Sequence, residues 1–328
     1  MPDAPALAGP ALAEARGRGY RLLGELLSRG PGPELLPAAR ASDALATTLD
    51  DVEGAAADHH HVFGFAVHPY AGVFLTPSGQ VGGACTDALQ PLHARTGAPP
   101  HASDGPEHVA TLCRALAHLG GAEADALQDG ARGIASHLRA LQRELLDEHL
   151  LAFFAPLAAA VARVARPFPS ALLVELAGVL ALHRAGLDEA PRPVALAAPT
   201  LDLADARTGL ADLADHLTTP CAAGAFLGRH ELGAIGRRHR LPKGFGGRAL
   251  QARNLLRSAV RFDVRPAVVD DLVVVLEDEA PLPAPLAPFA RPWRERARET
   301  VALLREVLDV AARFADEARE DSPGEAPP

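Results

Sequence analysis

Apolar residues recur at three- and four-residue spacing along almost the whole chain, and strict alternation is nearly absent. That period puts one apolar stripe on each helix and leaves little for a sheet to bury. The fold class it predicts is all-α, a helical bundle with an additional small helical module toward the C-terminus. Leu12–Leu27 carries Tyr20, Leu23 and Leu27 on one face. A second helix is expected over Glu34–Ala46 and a third over Thr48–Phe63. Gly64–Pro100 is rich in Gly and Pro and reads as irregular, its one strand-like piece being Gly72–Thr76. Helices resume at Asp104–Leu119 and again from Arg132, where Ile134, Leu138, Leu141 and Leu145 keep register; Pro156 either starts a new helix or kinks this one. Ser170–Arg184 looks buried on most sides.

The 328 residues suggest two domains. The expected boundaries are a larger helical domain over 1–186, a Pro-punctuated linker over 187–200 and a small basic helical module over 201–280. A Pro-rich joint and C-terminal amphipathic helix follow over 281–319, then a disordered tail over 320–328. Within the module, helices are expected over Asp205–Leu217, Arg229–His239, Gly247–Phe262 and Pro266–Glu279. Val268–Leu276 is β-branched enough for a strand, but Asp270 and Asp271 break the alternation and favour helix.

Thirty-two basic residues against 41 acidic give a net charge of −9, which excludes a general nucleic-acid binder. Cys85, Cys113 and Cys221 are far apart and odd in number, which argues against a disulfide framework and fits a reducing cytoplasm. The N-terminus lacks the basic and apolar regions of a signal peptide, and no membrane span is expected.

Asp104-Gly105-Pro106-Glu107-His108 has the grammar of a helix start, with Asp104 as N-cap and Glu107 three residues on to close a capping box. Asp58-His59-His60-His61 does not form a metal set, because neighbours on a helix point about a hundred degrees apart. No GxSxG or phosphate-loop motif accompanies the glycines around Lys243–Arg248, which read as a tight turn. No catalytic residue, metal or cofactor is expected. From Arg229 to Arg265 ten basic residues face two acidic ones, a local charge of +8. Arg237, Arg238, Arg240, Lys243 and Arg248 could form a basic contact surface, either against an acidic body or, as the alternative function, as a helix-turn-helix on nucleic acid. His68-Pro69-Tyr70-Ala71-Gly72-Val73-Phe74 spends scarce aromatics in a loop, where they could line a groove for an extended peptide.

Three stretches in this order resemble the TorD/DmsD/NarJ family of redox-enzyme maturation chaperones, in its long form. Val62-Phe63-Gly64 with His68-Pro69-Tyr70-Ala71-Gly72-Val73 is similar to the family's aromatic helix end and P-Y-x-S loop, with Gly72 where Ser is usual. Pro106-Glu107-His108-Val109 through Leu119 is similar to the P-D-H helix, with Glu107 for Asp and with Thr111, Cys113 and Ala115 in place of the usual Glu and aromatic-Met residues. Leu145-Leu146-Asp147-Glu148-His149-Leu150 with Phe153 and Pro156 resembles F-L-x-x-H-L-x-x-W, Phe153 taking the Trp place. The likeness covers about Ala11–Ala185, and Leu217–Ala259 resembles an extra module of longer relatives.

The resemblance implies a cytoplasmic chaperone without catalysis of its own. It would bind the N-terminal leader, twin-arginine or otherwise, and the apo form of a molybdopterin (DMSO-reductase-type) enzyme's catalytic subunit. It would hold that client until its cofactor is inserted, before export or assembly. By position the leader contacts become Pro69, Tyr70, Pro106, Glu107 and His108, with Asp104 as helper. Carboxylates beside an apolar groove suit a basic leader with an apolar stretch, and the acidic chain would steer it in. Nucleic acid is then an unlikely partner; the chaperone would act as monomer or homodimer.

Overall fold

In a computed structural model the described residues are 9–100, 104–198, 200–205, 207–242 and 244–320, with side chains described as far as residue 310. Lys243 and the tail from 321 onward therefore lie outside the described residues. The described residues are helical, with no named strand and a single isolated bridge, Tyr70 to His108. The chain divides into two compact units, one of residues 1–198 and 279–293, the other of residues 199–278 and 294–328.

The first unit contains α1 (Pro10–Arg29), α2 (Leu36–Ala39), α3 (Asp43–Ala46), α4 (Val52–His61), α5 (Ala71–Leu75) and α6 (Ala84–Thr96). It continues with α7 (Val109–Gln128), α8 (Arg132–Glu144), α9 (Leu151–Val164) and α10 (Pro167–Ala185). Single π turns follow α4 at Val62–Ala66 and join α8 to α9 at Leu145–Leu150. α1 packs along α7 at close range because small residues meet: a Cβ on Gly17 would sit 3.1 Å from the Ala117 carbonyl, and one on Gly24 3.2 Å from that of Ala110. The same packing explains why α7 runs past the expected end at Leu119, since Gly120 lies on the Gly17 backbone.

Other expectations change for local reasons. The single helix expected over Glu34–Ala46 is two short ones, because Ser42 turns extended and caps α3 by accepting from the Leu45 N–H. The stretch 64–100 is only partly irregular: it contains α5 and α6, and Gly72–Leu75 is helical rather than strand-like, with Thr76 extended after it. α6 tolerates Pro91 on an exposed position.

Pro156 neither starts nor ends a helix. It sits inside α9, where its missing N–H would have served the Ala152 carbonyl. The indole N–H of Trp293 donates to that carbonyl instead, buried, at 2.8 Å. A fully buried Glu123 is held by Arg16, by Arg139 at 2.6 Å and by Gln142 at 2.9 Å. Burial alone would raise its pKa, but the Arg139 and Gln142 hydrogen bonds and the Arg16 charge hold it below the usual value. The spans Arg132–Val164 and Pro167–Ala185 are long and apolar enough to cross a membrane, yet 83% and 56% of their apolar windows are buried inside the fold.

The second unit holds α11 (Leu210–Thr218), α12 (Pro220–Ala223), α13 (Arg229–Arg238), α14 (Arg248–Arg261), α15 (Arg265–Glu277) and most of α16 (Ala287–Glu320). Val268–Leu276 is helical, as the two aspartates suggested. The core joins Leu213, Leu217, Leu232, Ile235, Leu256 and Leu272 with Val301 and Leu304 of α16. Gly224 has φ +82°, and a Cβ there would fall 2.1 Å from the Ala297 backbone nitrogen. The helix expected over Trp293–Ala318 begins six residues earlier, at Ala287, and passes through Pro292.

Candidate functional site

Two chain segments zip together where the sequence placed its site. The Val109 N–H donates to the Pro69 carbonyl at 3.0 Å, and the Ala71 N–H to the Glu107 carbonyl at 3.2 Å. The Tyr70 ring meets the His108 ring edge-on, centroids 4.6 Å apart. The third stretch joins through Phe74, which stacks on Phe153 at 5.7 Å. The sequence-selected residues are thus brought together, but most of them point inward.

The expected capping box is overturned. α7 starts at Val109, and its N-cap is His108, whose Nδ1 accepts from the Ala110 N–H at 3.1 Å. Asp104 and Glu107 precede the helix and do other work. Asp104 accepts from the Ser28 hydroxyl at 2.7 Å and pairs with Arg114 at 2.8 Å, and Arg114 also reaches Glu25 at 3.0 Å. Burial pushes the Asp104 carboxyl up, but the Ser28 hydroxyl and the Arg114 guanidinium outweigh it and keep the group ionised.

Glu107 is fully buried, and its carboxylate accepts from the Gly72 N–H at 3.0 Å and the Gly82 N–H at 2.5 Å. Burial raises its pKa against those two amides. It clamps the 80–82 loop over α5 and offers nothing to solvent. A Cβ at residue 72 would stand 2.4 Å from the Gln80 carbonyl oxygen, so glycine is required there once the loop is drawn in.

His108 is also buried, which lowers its pKa to about 4, so the ring is neutral and can accept from Ala110. Pro69 is buried; Tyr70 and Pro106 are half-buried and reach the surface. The Tyr70 hydroxyl is shifted upward by burial and by the Asp104 and Glu107 charges, so it stays a donor. Val81, beside the clamp, is exposed.

Sequence reading missed Gly82, Arg114 and His93, whose Nε2 lies 3.0 Å from the Pro106 carbonyl. Each acts across a distance in sequence that no local spacing encodes. The two π turns coincide with the first and third motifs, and π turns are frequent at functional positions.

Among the described residues no group of three or more His, Cys, Asp or Glu side chains could hold a metal, and all three cysteines are free thiols. His59 turns its Nε2 to the Leu27 carbonyl at 3.0 Å. In the basic segment, Arg238 and His239 both bind Asp271, and Arg248 lies over the Phe226 ring at 4.4 Å. α13 ends at Arg238 and α14 begins at Arg248, a longer separation than the three- or four-residue turn of a helix-turn-helix.

Residues 33–159 match the family model described as nitrate reductase delta subunit, a stretch that contains the zipper, the clamp and Phe153. No curated protein and no solved structure matches the chain.

Proposed function

Because residues 33–159 belong to the nitrate reductase delta subunit family, a family of redox-enzyme maturation chaperones, we propose that the chain is a cytoplasmic, non-catalytic chaperone for a molybdopterin oxidoreductase of DMSO-reductase type. It binds the N-terminal leader and apo form of the catalytic subunit and releases them after cofactor insertion. The observation that supports leader binding is the zipper of Pro69–Tyr70 against Glu107–Val109, which unites the two segments that resemble the family's leader contacts.

Within this reading the six residues divide their work. Tyr70 and Pro106 reach the surface and take the apolar part of the leader, with exposed Val81 beside them. Asp104 supplies the carboxylate for a basic residue, exchanging with its Arg114 partner. Pro69, Glu107 and His108 are buried and position the others; Asp104 is buried too, and its carboxylate reaches a leader only by that exchange with Arg114.

The test is calorimetric titration of the full chain with the synthetic leader of the molybdopterin reductase subunit encoded in the same cell. Saturable binding is expected, weakened about tenfold by Tyr70→Ala and by Asp104→Asn with helix content unchanged. Absence of binding to the leader overturns the reading; binding indifferent to both variants overturns the site.

A further inference from the structure

In the second unit α13 and α14 enclose a cavity of about 300 Å³. Its floor is apolar, made by buried Leu232, Leu241 and Leu255, and its rim carries Arg229 and Arg237. Space exists because Gly233 has no side chain; a Cβ there would lie 3.3 Å from Nη1 of Arg237. Both arginines are exposed, and neither forms an ion pair with a described residue. Phe245 and Leu250 are exposed close by in sequence, Phe245 adjoining the lining residue Gly244.

Among the described residues, the cations that line this cavity are two, Arg229 and Arg237. Elsewhere in the segment Arg238 and His239 share Asp271, Arg265 pairs with Asp263 and Arg248 is folded onto Phe226, while exposed Arg240, Arg257 and Arg261 lie outside the lining. A nucleic-acid backbone needs a row of available cations, one for each phosphate neutralised. A single apolar cup with two unpaired guanidinium groups on its rim suits one anchoring side chain flanked by carboxylates.

We propose that the α13–α14 cavity is a docking site for an acidic peptide segment of a partner protein, an apolar side chain seated on Leu232, Leu241 and Leu255 and adjacent carboxylates held by Arg229 and Arg237. This does not depend on the leader site, whose ligand is basic and whose residues all lie in the first unit.

The experiment is fluorescence anisotropy on the full chain with a labelled Ser-Glu-Glu-Leu-Phe-Glu-Glu-Ser peptide. Two comparison peptides replace the glutamates by lysine or the Leu-Phe pair by serine, and a DNA duplex of about 20 base pairs serves as the competing class. The acidic apolar peptide is expected to saturate, with both comparison peptides at least about tenfold weaker. Arg237→Glu and the cavity-filling Gly233→Val should each abolish binding, checked by circular dichroism, whereas Arg261→Glu, outside the cavity lining, should change affinity by less than about twofold. No saturable binding, or binding that survives both Arg237→Glu and Gly233→Val, overturns the proposal. So does preference for the duplex with a steep salt dependence.

Discussion

The Gly72 N–H donates to the Glu107 carboxylate at 3.0 Å, and that bond forms only because residue 72 lacks a side chain. Glu107 is long enough to reach Gly82 as well, and drawing that loop inward places the Gln80 carbonyl where a Cβ at 72 would be. The two positions at which this chain departs from the patterns it resembles, residues 72 and 107, are therefore in direct contact. Glutamate in place of aspartate tightens the loop, and glycine in place of serine makes room.

Gly72→Ser alone should destabilise the first unit by about 2–3 kcal/mol, through the clash or the loss of the clamp. Glu107→Asp alone should cost about 1–2 kcal/mol by pulling the carboxylate away from the half-buried Gly82 amide. The double variant should lose clearly less than the sum, by at least about 1 kcal/mol. Urea unfolding of the four proteins measures this; strict additivity would show that the residues act separately.

Trp293→Phe should cost about 1–3 kcal/mol, since it orphans the buried Ala152 carbonyl. Pro156→Ala supplies the missing helix N–H, so in that background the same change should cost much less. A cycle of thermal melts decides it: an equal cost in both backgrounds would mean that the indole matters for its packing alone.

Burial holds His108 at about 4, and His59 and His183 are likewise shifted downward by burial. Their neutral forms contribute stability that is complete above the ordinary histidine value of 6.5 and is lost as pH falls toward the folded-state value. For His108 the loss between pH 7 and pH 5 is about 2 kcal/mol. Glu107, shifted upward by burial, opposes this, so the histidine contribution is best isolated by His108→Asn, which keeps an N-cap acceptor. The melting temperature should fall from pH 7 to pH 5, and less steeply in the variant. An unchanged slope would mean that His108 titrates normally.

Glu123→Ala should destabilise by about 3–5 kcal/mol, because Arg16 loses its buried partner. Glu123→Gln should recover part of that by keeping contacts to Arg139 and Gln142. Denaturant midpoints would rank the three proteins, and equal midpoints for the alanine and glutamine variants would contradict the assignment.

The helical class was legible because period dominates the sequence, and the site's neighbourhood because its aromatics are few. What could not be read was direction. Glu107 has the spacing of a capping residue, yet its partners at Gly72 and Gly82 are 35 and 25 residues away. The run Gly72-Val73-Phe74 has strand-like residues, but packing of Phe74 on Phe153 outweighs the local preference and makes it helix. The π turns at 62–66 and 145–150 leave no periodic signature, since each inserts a single residue's worth of rotation.

Trp293 closes the gap left by Pro156, and it is the only tryptophan; the two tyrosines are Tyr20 and Tyr70. All three belong to the first unit, while the second contains phenylalanine alone among the large aromatic residues. Emission excited near the indole band will therefore report chiefly on the first unit, from a residue at its boundary within α16. A melt followed by fluorescence and one followed by helix content should be compared before either is taken as the stability of the whole chain.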